Sequence, residues 1–407
     1  MHEYYYRDLE KLIRFIIPEK CRILKVENEH QVIEKSKTKY DYILLNNIIG
    51  DLTDVQLTLK HLKTFCTPET RVVITYYNHL WEPILKFASA MGWRKKVKNQ
   101  NWLDNQDISN LLELAGYEVI TQQKRMLVPV DFTYITDVLN KWAAPLPIIN
   151  SLCLTTWVIA RIKPEKRTDY SVSIIVPARN EEGNIRNIVK SIPKFGKWQE
   201  VVFVEGHSKD RTWEEIKKLG DKRGRISVRA FKQSGIGKAD AVRLGFSKAR
   251  GELLIILDAD LTVDPGDLIK FYEVISSNQG EFANGSRLIY PMEKQAMQTL
   301  NKFGNTIFSR LFTWILGQRF KDTLCGTKAI LMIYYQKIVK YRNYFGDFDP
   351  FGDYDLIFGA VKQNLKVVEI PIRYRERVYG KTNISRFTHG WLLLKMTWFA
   401  FGKFKTW

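Results

Sequence analysis

The sequence predicts an α/β protein of two domains, and three observations carry that reading. At 407 residues the chain exceeds what one hydrophobic core normally serves. Its apolar residues come in short, strand-length runs that end in polar turns and lead into amphipathic helical stretches. Glycine also divides the chain: Gly50, Gly92 and Gly116 precede Gly183, and the other 21 of the 24 follow from there. The polar stretch Lys163-Pro164-Glu165-Lys166-Arg167-Thr168-Asp169 is the expected linker. Domains are thus expected over residues 1–165 and 170–385, with an aromatic and basic helix over 386–407.

In the first half, residues 22–26, 40–45, 71–76, 117–121 and 153–160 read as strands. Residues 54–65 and 80–91 read as helices, and 107–115 as a helix opening on an acidic cap. Asn78-His79-Leu80-Trp81-Glu82 and Gln100-Asn101-Trp102 are either a contact surface or loops with tryptophan anchored in the core.

In the second half, the strand 172–176 ends in Pro177-Ala178-Arg179-Asn180-Glu181-Glu182-Gly183-Asn184 before a helix over 185–191. The strand 200–204 ends in Glu205-Gly206-His207-Ser208-Lys209-Asp210-Arg211-Thr212, where Asp210 or Thr212 can cap the next helix. In Gly235-Ile236-Gly237-Lys238 the glycines allow close backbone approach and Lys238 brings positive charge. The apolar run 253–257 suits a strand buried on both faces in the middle of a parallel sheet. Asp258, Ala259 and Asp260 follow directly. Two carboxylates so close repel. Either a hard divalent cation, Mg²⁺ or Mn²⁺ shared with substrate phosphates, compensates them, or they are solvated aspartates opening a loop. Gly285-Ser286-Arg287 lies about 25 residues beyond.

The formal charge of +19 implies an anionic partner: nucleic acid, a membrane surface or a phosphorylated substrate. No motif sets aromatics and arginines on a reading surface, so nucleic acid is not expected. Cys21, Cys66, Cys153 and Cys325 lack metal spacing and read as free thiols in a reducing cytosol. The opening MHEYYYRDLEKL is no signal peptide. No apolar segment reaches the ~18 residues of a membrane span, so a cytoplasmic protein, peripheral at the inner face of a membrane, is expected. In the tail, Trp391, Trp398, Phe401 and Phe404 alternate with Lys395, Lys403 and Lys405. That pattern suits an interfacial helix on an anionic membrane, or a helix packed on protein.

PARNEE, EGHSKDRT, GIGKADAVRLGF, DADLTVDP and GSR, in this order and spacing, resemble the inverting glycosyltransferase family 2, and within it the dolichyl- or polyprenyl-phosphate hexose synthases. The resemblance covers residues 172–385 and implies a GT-A fold, a doubly wound sheet that binds a nucleotide-sugar. It implies that Pro177, Arg179 and Glu181 contact base and ribose, with Glu205 where an Asp-Asp pair is usual. It implies that Asp258 and Asp260 hold a metal against the diphosphate, beside the small Ala259, with Lys238 and Arg287 on the phosphates or sugar. Asp322-Thr323-Leu324-Cys325-Gly326-Thr327-Lys328 resembles the acceptor-side loop. Arg377-Val378-Tyr379-Gly380-Lys381-Thr382-Asn383 resembles a phosphate-binding Arg-x-x-Gly-x-Ser-Lys segment, with Asn383 in place of the lysine and Lys381 two positions earlier. Read without the resemblance, Arg373, Arg375, Arg377 and Lys381 form a solvated basic face. The expected reaction moves a hexose from a UDP- or GDP-sugar to a polyprenyl phosphate. If the acceptor is instead a saccharide or glycolipid hydroxyl, Asp353 or Asp355 is the expected base. A nucleotide-sugar-binding protein without catalysis is the third reading.

The strands DYILLNN and RVVITYYN and the segment DISNLLELAGYEV resemble the later part of class I S-adenosylmethionine-dependent methyltransferases. That implies an incomplete Rossmann-like domain over roughly residues 1–162. The first strand runs into ENEHQVIEKSKTKYDYI with no glycine. Without one the backbone cannot approach the cofactor, so S-adenosylmethionine is not expected.

Overall fold

The structure, a computed structural model, describes residues 2–33, 38–94, 100–132, 134–220, 226–291, 299–344, 354–377, 379 and 386–406. The chain divides into two compact units, Met1–Pro164 with Phe401–Trp407, and Glu165–Ala400. Both are α/β, each with helices on the two faces of one sheet.

The first unit holds β1 (Ile23–Val26), β2 (Tyr42–Asn46), β3 (Arg71–Tyr77), β4 (Tyr117–Arg125) and β5 (Thr155–Ile162), in the order β1-β2-β3-β5-β4. β1, β2 and β3 are parallel, and β5 runs antiparallel between β3 and β4. Alternation sorts the side chains. Ile43, Leu45, Val72 and Ile74 pack with Leu59 and Leu62 of the helix Val55–Leu62 and with Ile108 and Leu112 of the helix Asn105–Leu114. Tyr42, Leu44 and Val73 face the helix His2–Ile16, which buries Tyr5, Leu9, Leu12 and Ile16 at helical spacing. Asp54 caps its helix, accepting from the Leu57 N–H at 2.8 Å. At the third helix the acidic cap is Asp104 rather than Asp107. Asp104 accepts from the N–H groups of Gln106 and Asp107 while the Asp107 carboxylate accepts from the Asp104 N–H, a reciprocal capping box.

The second unit holds β6 (Val172–Ala178), β7 (Gln199–Glu205), β8 (Ser227–Lys232), β9 (Leu253–Ile256), β10 (Phe282–Ser286), β11 (Lys328–Leu331) and β12 (Val367–Pro371). Their order is β12-β10-β11-β9-β6-β7-β8. β9 is fully buried but is not flanked by parallel strands on both sides: it pairs parallel with β6 and antiparallel with β11. β11 also runs against β10, so six strands deliver their carboxyl ends to one edge, where β11 begins. On one face the helix Lys238–Lys248 sits so close that a Cβ at Gly245 would lie 2.5 Å from Ile175 Cγ2.

The C-terminal helix, Arg386–Phe404, buries Leu393, Met396 and Ala400 and exposes Trp391, Leu394 and Trp398. Its last turn belongs to the first unit. There Phe404 stands edge-on to Phe15, Phe401 lies 5.8 Å from Trp142, and the Lys405 ammonium donates to Gln123 at 2.5 Å. Burial pulls Lys405 down to about 8. Among the described residues no helix is long and apolar enough to cross a membrane.

Candidate functional site

The carboxyl edge of the second sheet gathers most of the residues singled out above, as expected for an open α/β sheet. The loops after β6 and β7 interlock through hydrogen bonds. Asn180 N–H donates to Ser208 Oγ (3.0 Å), Lys209 N–H to Asn180 Oδ1 (2.7 Å), Glu181 N–H to Thr212 Oγ1 (2.8 Å) and Arg211 N–H to Glu182 Oε2 (2.8 Å). Asn180 and His207 turn the chain at φ +56° and +57°, a region asparagine tolerates better than most residues. Asp210 shapes the turn before the helix Thr212–Gly220, accepting from the Thr212 N–H. Glu205 is buried and accepts from the Ser208 N–H at 2.5 Å, so it shapes its loop. Pro177 is half-buried and Arg179 exposed at the rim.

Two carboxylates and two cations meet at the end of β9. Lys238 Nζ lies 2.6 Å from Asp258 Oδ1, and Arg377 Nη2 lies 2.6 Å from Asp260 Oδ2. Burial pushes the Asp258 carboxyl upward, yet the Lys238 ammonium holds it below its ordinary value. Asp260 is oriented by Thr262, whose N–H and hydroxyl both donate to Oδ1. Ala259 packs into the core between them. Arg377 also reaches Glu181 Oε1 at 3.5 Å, and burial pushes the Glu181 carboxyl up to about 7 against that charge and the Asn184 amide. A Cβ at Gly326 would sit 2.1 Å from Lys238 Nζ and 2.2 Å from Asp258 Oδ2, so space against that carboxylate is kept open. The pair fits Mg²⁺ or Mn²⁺. Among the described residues no three His, Cys, Asp or Glu side chains form a metal cage.

Arg287 is held by a buried carboxylate, and its charge also acts on Asp258. Its guanidinium is bidentate to Asp322, 2.7 and 2.9 Å, and Asp322 is fully buried. Asn305 and the Leu324 N–H donate to the same carboxylate. This brace ties the end of β10 to the loop before β11, and the sequence did not flag it because its halves are 35 residues apart. Lys328 is also missed as a site residue: its buried ammonium donates to the Cys325 carbonyl and adds positive charge near Asp258. Asp355 is held by Arg243 and Arg342 at 2.8 and 3.2 Å. Asp353 and Lys381 lie outside the described residues.

At the corresponding edge of the first sheet, Gly50, Tyr76, Tyr77, Gln100, Asn101 and Trp102 line a cavity of about 10 Å³, room for one water. The turn after β1 is closed by Gln31, whose side chain accepts from the Glu27 N–H. In this structure that cavity has room for a water and not for S-adenosylmethionine.

Residues 173–340 match the family model Glycosyl transferase family 2, and residues 11–122 match Methyltransferase domain. The chain is 35% identical to a dolichol-phosphate mannosyltransferase of Pyrococcus furiosus over 29% of this chain and 33% of that one. It is 27% identical to a dolichyl-phosphate hexose transferase of Haloferax volcanii, over 55% of this chain and 92% of that one. The chain thus spans only a third of the length of the first relative. A glucosyl-3-phosphoglycerate synthase structure from Mycobacterium tuberculosis aligns at 15% identity and TM-score 0.41 over 58% of this chain and 81% of that one, too distant to carry a conclusion. The second half of the chain therefore carries a glycosyl transferase family 2 domain, behind a methyltransferase-type domain.

Proposed function

We propose that the chain transfers one hexose from a UDP- or GDP-linked sugar to a polyprenyl phosphate, with inversion at the anomeric carbon. The observation that carries this is the meeting of Asp258, Asp260, Lys238 and Arg377 at one sheet edge. Bound by the two aspartates, Mg²⁺ or Mn²⁺ supplies Lewis-acid neutralisation of the departing diphosphate. Lys238 and Arg377, released from their carboxylates, turn to the phosphate oxygens, where negative charge builds up in the transition state. Pro177, Arg179 and Glu181 take the base and ribose, within loops shaped by Glu205 and Ala259. Arg287 acts through Asp322 by holding the floor of the site. Lys381 follows Arg377 in the chain and takes the acceptor phosphate.

A lipid phosphate is already anionic at neutral pH and needs no strong base. A hydroxyl acceptor needs one, and Asp355 is committed to two arginines. The names of the Pyrococcus and Haloferax relatives support the lipid phosphate. Such an acceptor puts the enzyme at the inner face of a membrane, attached peripherally. Transfer assays should compare undecaprenyl phosphate with neutral glycans for wild type and Asp353→Asn. Full activity of the variant on the lipid phosphate is expected. Activity on glycans alone, abolished by the substitution, overturns the acceptor assignment.

A further inference from the structure

The first unit carries an apolar face that its own packing does not use. Leu80, Ile84, Phe87, Met91 and Trp93 are each 49–69% exposed. They follow helical spacing along and just beyond the helix Glu82–Ala90, with Phe87 edge-on to Trp93 at 6.1 Å. Single exposed hydrophobics are ordinary; a stripe of five is not.

The stripe continues onto a second element. Trp81 Nε1 donates to the Leu152 carbonyl at 2.7 Å, and the Asn78 amide donates to the carbonyls of Ser151 and Cys153. Leu152 ends a broken helical stretch that exposes Tyr134, Ile135, Trp142, Leu146 and Ile148, the last at 85%. The carboxylates on and beside this stretch are partnered at the surface: Asp131 pairs with Arg7, and Asp137 accepts from the Tyr4 hydroxyl.

Charge selects the occupant. Immediately after Trp93 the sequence reads Arg94-Lys95-Lys96-Val97-Lys98, four cations in five positions. Aliphatic side chains with tryptophan and tyrosine, followed in the sequence by a basic run, match the acyl–headgroup boundary of an anionic bilayer. A second copy of the chain, itself at +19, would bring like charge. We infer that the methyltransferase-type domain docks the chain on anionic lipid, through the helix Glu82–Ala90 and the stretch 134–152. This gives the methyltransferase-type domain a task of its own, and it deepens the lipid-phosphate reading by naming a surface that meets the membrane.

The test is flotation of the full chain with vesicles of phosphatidylcholine, with and without phosphatidylglycerol, in low and raised salt. No sugar donor is needed, so it fails independently of the proposed transfer. Binding to the phosphatidylglycerol vesicles, weakened by salt, is expected. Phe87→Glu with Trp93→Glu should lower partitioning on the order of a hundredfold while leaving nucleotide-sugar binding unchanged. A wild type that does not float, or a double variant that floats equally well, overturns the inference. Should that variant not fold, brominated acyl chains give a second readout: they should quench the tryptophan fluorescence, with a share lost in Trp93→Phe. No such share overturns it as well. So does self-association that Phe87→Glu abolishes in a protein indifferent to lipid, since the face is then covered by a second copy.

Discussion

Asp322→Asn should destabilise the second unit by about 3–5 kcal/mol, because it strands a buried guanidinium. The carboxylate accepts from Arg287 Nε, Nη2 and backbone N–H, from Asn305 Nδ2 and from the Leu324 N–H, at 2.7 to 3.1 Å. Burial alone would raise its pKa, but Arg287 brings it down to about 2. Against an ordinary value near 3.9 this favours the ionised form by on the order of 2–3 kcal/mol. Because the folded value lies below the unfolded one, this contribution is present above about pH 4 and lost as pH falls towards 2. For a unit of this size each kcal/mol moves the melting midpoint by about 2–4 °C, so the variant should melt roughly 6–20 °C lower at pH 7. Thermal and urea unfolding of the full chain measure this. Adding Arg287→Met should recover at least half of the loss, since an apolar pair costs less than a stranded charge. A single variant within about 2 °C of wild type, or a double variant less stable than the single, would refute the brace.

Three further outcomes follow from the site. Gly326→Ala puts a methyl against Lys238 Nζ and Asp258 Oδ2, so both side chains must swing away from where they meet. Nucleotide-sugar affinity should therefore fall about tenfold or more, roughly 1.4 kcal/mol, with little change in melting, as calorimetry will read. Glu181, pushed up to about 7 by burial, should make wild-type stability decline as pH rises from about 4.5 through 7. Glu181→Gln should flatten that slope, an effect on the order of 1–3 kcal/mol at pH 8, and equal slopes in the two proteins refute the assignment. Lys238→Met leaves Asp258 without its ammonium and should cost the transfer rate about a hundredfold. Retained turnover would move Lys238 out of the site.

Strands were legible wherever their apolar runs are long. The burial of residues 253–256 and the acidic turn after them follow directly from the letters. β11 was not legible, because it is four residues long and opens on Lys328, a cation buried by its loop rather than by its own character. The antiparallel pairing of β9 went unseen with it. The helix His2–Ile16 has its buried residues at helical spacing, but three consecutive tyrosines blur the period. At the site, motifs located Asp258, Asp260, Lys238 and Arg377 but not who pairs with whom. Nothing in the letters pairs Arg287 with Asp322, 35 residues on. Likewise Asp107 looks like the cap until Asp104, three residues earlier, takes that place.

The central claim is that Asp258 and Asp260 anchor the diphosphate of a nucleotide-sugar through a divalent ion. Calorimetric titration of UDP-glucose and GDP-mannose, with and without Mn²⁺, into wild type, Asp258→Asn and Asp260→Asn tests it most directly. One donor should bind wild type in a Mn²⁺-dependent manner, and each substitution should weaken it at least about tenfold. Binding that ignores both Mn²⁺ and the substitutions, or no binding of either donor, contradicts it.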